Sequence, residues 1–232
     1  MTIDSLMRQT ICPKEMELHL SLEDFPLGEK NLPKNLLHYI NKGLKIYWHN
    51  ENLKPHKKYI YAFRKHTNKC VVTVDDDHYY RKDMLERLWH LHHHFPECIC
   101  ANTVRRIPLD ATLKYVQWSS VYDEGYIPSH RLIAIGFGGV LYPVQLFNRS
   151  CYEDVESMKK MSLSTDDLWL KANELVSDIK VVSGQYYCQS PSVVGSRGDA
   201  LSNLNWREES HNDTNWLILR SKFTKIDELL YR

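Results

Sequence analysis

Three adjacent carboxylates, Asp75, Asp76 and Asp77, close an apolar run, "CVVTV". Side by side, three like charges resist full ionisation. A surface turn favours Asp but needs only one of them. Alternate side chains leaving a strand point the same way, so Asp75 and Asp77 can jointly reach one divalent ion. Mn²⁺ and Mg²⁺ suit carboxylate oxygens and phosphates, and either would relieve the crowding of charge. The competing reading is a plain Asp-rich turn.

A second acidic pair, Asp166 and Asp167, stands in "STDDLW". It reads as the capped start of a helix, or as a carboxylate placed to take a proton from a reacting hydroxyl. "GFGG" brings Gly136, Gly138 and Gly139 together, either for a close approach of backbone to ligand or for a tight bend. In "HKKY", Lys57 and Lys58 form a solvated charge pair, or one of them meets a phosphate as a point charge. "ESHNDTNW" sets His211 beside Asn212 and Asp213, as a capping turn or with His211 as a metal ligand. His90 and His94 have the i, i+4 spacing of zinc ligands, but no nearby Cys or acidic residue completes a set.

These groups need a scaffold, and the pattern supplies one. "EMELHLS", "LKIYW", "CVVTV", "CICANTV" and "IKVV" read as strands, as does "QYYC" at 185–188. "CVVTV" does not alternate, which predicts burial on both faces. "LPKNLLHYINKG", with Pro first and Gly last, "HKKYIYAFRKH", "RKDMLERLWHLHHHF" and "STDDLWLKANEL" read as helices. "TNWLILRSKFTKIDELL" reads as one terminal helix that packs Trp216, Leu217, Leu219, Phe223, Ile226, Leu229 and Leu230. Strands alternating with helices predict a largely parallel sheet, which binds ligands beyond the carboxyl ends of its strands. The aspartates occupy such an end. From Val104 to Arg131 the pattern weakens into scattered aromatics, an excursion from the sheet.

Lys+Arg 30 against Asp+Glu 29 leaves a formal net charge of +1, so no global field recruits nucleic acid. The N-terminal stretch lacks a signal-like apolar core, and nothing approaches the ~20 apolar residues of a spanning helix. Six scattered cysteines without paired spacing fit reduced thiols and a cytoplasmic location.

Taken in order, "SLMRQTICPKEMELHLS", "LPKNLLHYINKGLKIYW", "HKKYIYAF", "VVTVDDDHYY", "FPECICANTVRRI", "GFGGVLYP", "TDDLWLKA" and the late "HND" resemble a bacterial glycosyltransferase of the GT-A fold. They are similar to the family-2-like enzymes that build cell-surface polysaccharides and lipopolysaccharide sugars. The resemblance implies an α/β, Rossmann-like single domain over 1–232, with a mostly parallel central sheet flanked by helices. Residues 1–103 would form the nucleotide-sugar half and 104–232 the acceptor half. It implies metal-dependent transfer, with inversion, from a nucleotide diphosphate sugar, a UDP-sugar for preference, to a hydroxyl of a glycan or lipid-linked acceptor. By position, Asp75 and Asp77 fit the DxD motif that binds Mn²⁺ or Mg²⁺, and His211 adds a ligand. Asp76 would face the ribose or donor sugar, Lys58 the donor, and Gly138 and Gly139 the pocket floor. Asp167 would be the base, with Asp166 close behind. The family's opening strand and turn, which contact the nucleotide base, have no counterpart before "IDSLMRQT", so the sheet is expected without its first strand. A metal-dependent phosphotransferase or phosphohydrolase and a truncated, non-catalytic nucleotide-sugar binder are the alternatives. No nucleic acid partner or transmembrane segment is expected; peripheral association with the inner membrane face fits a lipid-linked acceptor.

Overall fold

The computed structural model describes residues 1–121, 125–184, 191–193 and 211–231. It is a mixed α/β architecture. Helix α1 (Thr2–Met7) leads to β1 (Met16–Ser21), α2 (Lys34–Ile40) and β2 (Leu44–His49). Then come α3 (Lys57–Lys65), β3 (Cys70–Thr73), α4 (Met84–His94) and β4 (Cys98–Ala101). Strands β5 (Val104–Arg106), β6 (Ser119–Val121), β7 (Leu132–Ala134) and β8 (Val140–Pro143) follow. Helices α5 (Ser150–Glu153), α6 (Val155–Ser162) and α7 (Asp166–Val176), strand β9 (Lys180–Ser183) and helices α8 (His211–Lys222) and α9 (Lys225–Leu230) complete the described elements.

The central sheet has the order β3-β8-β4-β9. β8 is antiparallel to both neighbours while β4 and β9 are parallel, so three of the four strands run one way. β1 and β2 form a separate parallel pair. The stretch from Val104 does leave the central sheet, but it is not irregular throughout: β5 pairs antiparallel with β6 and β7. Among the described residues, β1 pairs only with β2 and β3 only with β8. A sheet without its first strand was the expectation; among the described residues the β1–β2 pair and the β3 edge of the central sheet are not joined by a strand.

Those edges explain one correction. Cys70, Val71 and Val72 are half-buried and only Thr73 is fully enclosed, so β3 is covered less completely than expected. Its apolar run serves an edge strand that sets Val71 against the core on the α3 side and Cys70, Val72 and Val74 against the core on the α4 side, each only partly covered. Helix α7, by contrast, buries Leu168, Trp169, Leu170, Ala172 and Leu175, and even Lys171 and Glu174, which pair with each other at 3.1 Å. A helix enclosed all round belongs inside the core. The larger core cluster joins α7 to Tyr59, Ile60 and Phe63 of α3, and to Trp216 and Leu219 of α8. A smaller one sets Met84, Leu88 and Leu91 of α4 against Cys98 and Cys100 of β4.

The terminal helix is two helices, broken at Phe223 and Thr224. Trp216 meets Trp118 edge-on at 5.5 Å, and the adjacent Leu217 is 61% exposed, contrary to its expected packing. Neighbouring residues on a helix are turned about 100° apart, so one stripe cannot hold both. The break lets α9 turn Ile226, Leu229 and Leu230 inward, against α7. The strand expected at 185–188 lies outside the described residues. His90 is exposed, with Glu86 at 3.9 Å, and His94 contacts the His90 carbonyl, so that helix does not assemble a zinc set.

Candidate functional site

The acidic triplet begins where β3 ends, and its backbone is pinned from several sides. The Asp75 N–H donates to the Tyr80 hydroxyl at 2.8 Å, and that hydroxyl lies 3.2 Å from the Asp75 carbonyl. Tyr80 is itself buried. Helix α1 adds two ties: Thr2 Oγ1 donates to the Asp76 carbonyl at 2.8 Å, and Ser5 Oγ accepts from Tyr80 N at 3.0 Å. On the far side, Val193 N donates to the Asp77 carbonyl at 2.7 Å and Tyr79 N to the Pro191 carbonyl at 3.0 Å. A turn held this closely presents its carboxylates in fixed directions.

Three elements then converge. Lys58, at the start of α3, places Nζ 2.7 Å from Asp75 Oδ1 and 2.8 Å from Asp166 Oδ2. One ammonium thus bridges the two acidic motifs. Asp166 and Asp167 open α7, where the helix dipole favours negative charge. Thr165 is the N-cap residue, but its hydroxyl does not cap; it contacts Ser162 Oγ and accepts from Asn215. Asp167 instead meets the chain at Gly136, whose N–H lies 3.2 Å and 3.4 Å from its two oxygens.

Gly136 is the hub. A Cβ there would sit 2.7 Å from Lys58 Nζ, 3.3 Å from Asp167 Oδ1 and 3.4 Å from Asp75 Oδ1. The pocket-floor expectation fell on Gly138 and Gly139, which face elsewhere. A Cβ on Gly138 would lie 2.7 Å from Thr103 Cβ and 3.0 Å from Thr103 N, and Gly139, at φ +84°, backs onto Met84. Gly138→Ala is expected to lose about 1–3 kcal/mol through overpacking. Urea unfolding checks it, and an unchanged midpoint would count against so tight a contact.

The electrostatics separate the two carboxylates of α7. Burial pushes Asp167 well above the usual carboxylate range, and the charge of Asp166 adds to the push. For Asp166 burial works the same way, but Lys58, and then His56, outweigh it and hold its carboxyl low. Burial alone would lower Lys58; Asp166, Asp75 and Asp167 hold it protonated, well above its ordinary value. Asp76 is raised by burial first and then by its two neighbours. Two adjacent carboxyls with opposite shifts suit a proton acceptor beside a permanent charge.

On the outer side, ligand atoms of Asp75, Asp77 and His78 lie within 4.8 Å of one another. His78 Nδ1 is 2.6 Å from Asp77 Oδ1, and its ring stacks on Phe137 at 5.2 Å. His211 does not join this group among the described residues; its Nδ1 faces Ser164 Oγ at 3.3 Å. Tyr80 and His78 escaped the sequence reading, and Gly136 entered it only as one member of the glycine run. His78 directly follows the triplet, a signal that was available; Gly136 stood in a glycine run whose spacing alone does not single it out.

The family model described as glycosyl transferase family 2 matches residues 2–149, which contain Lys58, the acidic triplet and the glycine run. No curated protein matches the chain.

Proposed function

Because the chain belongs to glycosyl transferase family 2, and so is a glycosyltransferase, we propose that it transfers a sugar from a nucleotide diphosphate sugar to an acceptor hydroxyl with the help of a divalent ion. The reading extends to a UDP-sugar donor, a glycan or lipid-linked acceptor of the cell-surface polysaccharide type, and inversion at the anomeric carbon. Residues 1–103 take the donor and 104–232 the acceptor. The observation that carries it is the meeting of both acidic motifs on Lys58, with Asp167 beside them at Gly136.

The residues suit a cation: Asp75 and Asp77 bring carboxylate oxygens within 4.8 Å of each other at a pinned strand end. Mn²⁺ or Mg²⁺ held there would supply Lewis-acid stabilisation to the departing diphosphate. Asp167 takes the proton of the acceptor hydroxyl on a carboxylate oxygen, its raised affinity for protons matching the task. Asp166 stays ionised against Lys58 and keeps the second carboxyl from sharing its charge. Lys58 bridges rather than facing outward, so its part in donor binding is through the orientation of Asp75. Asp167 acting as a single base suits direct displacement. Asp76, exposed at the turn, faces the ribose or sugar as a hydrogen-bonding group.

A panel of nucleotide diphosphate sugars, assayed with Mn²⁺, with Mg²⁺ and with chelator, tests this. Transfer to a hydroxyl, lost with chelator and inverted by product NMR, is expected. Retained configuration ends the single-displacement reading. Release of phosphate from simple phosphoesters would favour a phosphohydrolase.

A further inference from the structure

We propose that His78 is a third protein ligand of the divalent ion, beside Asp75 and Asp77, and that its imidazole makes the site prefer Mn²⁺ to Mg²⁺. This rests on the metal-dependent reading above. Carboxylates converge on two sides of Asp75. The inner side, toward Asp166, already contains the Lys58 ammonium, 2.7 Å and 2.8 Å from its two partners. A second, doubly charged cation would be repelled there. The outer side, toward Asp77, is left, and it brings an imidazole with it.

His78 is prepared for the part. Its side chain is only 14% exposed, its ring lies at 22° to Phe137, and its backbone forms a bridge with Ser192. An imidazole already oriented loses little freedom when it ligates. Its 2.6 Å contact with Asp77 also means that both groups point at the same small region. A contrast is instructive: Glu15, Glu17 and His66 also cluster, but Lys65 Nζ sits at 2.5 Å and 2.6 Å from the two carboxylates. That group has its cation within the chain, as the inner side of Asp75 does.

The ligand set decides the metal. Mg²⁺ keeps to oxygen and to waters it releases reluctantly, whereas a nitrogen ligand is well accepted by the later divalent ions and by Mn²⁺. His211, facing Ser164, is the alternative nitrogen.

Mn²⁺ titrated into the protein, without sugar donor, is followed by loss of the free-ion paramagnetic resonance signal. Spin-echo modulation then reports nitrogen bound directly to Mn²⁺. His78→Phe keeps a ring on Phe137 but no nitrogen, and His78→Gln serves as a second variant should Phe misfold. Both are expected to weaken Mn²⁺ by about tenfold or more, to remove the nitrogen modulation, and to leave Mg²⁺ affinity little changed, so that Mg²⁺ displaces Mn²⁺ more readily than in wild type. Retained modulation with unaltered Mn²⁺ affinity overturns the proposal, as does loss of the modulation in His211→Phe alone. Should wild type bind no Mn²⁺ even with a nucleoside diphosphate present, the metal-dependent reading itself falls; that result differs from a silent His78 substitution.

Discussion

Asp167→Asn is expected to lower the rate of sugar transfer by about 10²–10⁴-fold, while binding of nucleoside diphosphate and Mn²⁺ is unchanged. The substitution keeps the side-chain shape and an oxygen for the Gly136 N–H, so the loss is chemical rather than structural. Stability offers an independent check, with a definite sign. A carboxyl raised in the folded state binds more protons folded than unfolded, so wild-type stability falls as pH climbs from the ordinary carboxylate range toward the raised value. The Asn variant lacks this term. Its stability relative to wild type should therefore increase with pH through that window, as measured by urea unfolding at several pH values. Transfer by wild type should rise over the same window as Asp167 gives up its proton. A variant that still transfers at the wild-type rate would assign the base elsewhere, with Asp166 next in line.

Lys58→Met removes the ammonium that touches both acidic motifs. Asp75, Asp166 and Asp167 would then face one another around Gly136 with no cation among them. Removing one member of a buried ion pair costs about 3–5 kcal/mol; with Lys58 about one-fifth exposed, roughly 2–4 kcal/mol at neutral pH is the reasonable scale. The sign again discriminates. Asp166 is held low by Lys58, so its contribution is present above the ordinary carboxylate pKa and disappears as pH falls through the folded value. The deficit of the variant should therefore shrink in acid. Denaturation curves at neutral and acidic pH decide this, and a deficit of equal size at both would point to lost packing of the lysine stem. Activity should fall as well, since Asp75 loses the contact that orients it.

How much of this was legible beforehand follows from the range of the forces involved. The strand ends and helix starts were readable because apolar runs stop abruptly at Asp75 and at Thr165, and local chemistry marks such stops. The bridge between the two motifs was not, because Lys58 lies in a different element from either, and only the fold sets α3 across β3 and α7. The antiparallel entry of β8 between β3 and β4 was equally hidden. Both strands and their neighbours are apolar, and such runs carry no direction. Burial of "CVVTV" was overestimated for the same reason: lack of alternation signals apolar surroundings but does not count a strand's partners. Leu217 was misplaced because an apolar helix pattern does not say which of two neighbours, Trp216 or Leu217, turns to the core, and the same pattern conceals the break at Phe223. His78 is a different case. It was in plain view, and its relevance became visible only when Phe137, distant in the chain, was found stacked on it.

Helix α1 carries a practical consequence for anyone handling the protein. Thr2 and Ser5 clasp the very turn that bears the three aspartates, so the hold on those carboxylates depends on this short helix. A preparation that loses Thr2 and Ser5 to proteolysis would slacken that turn.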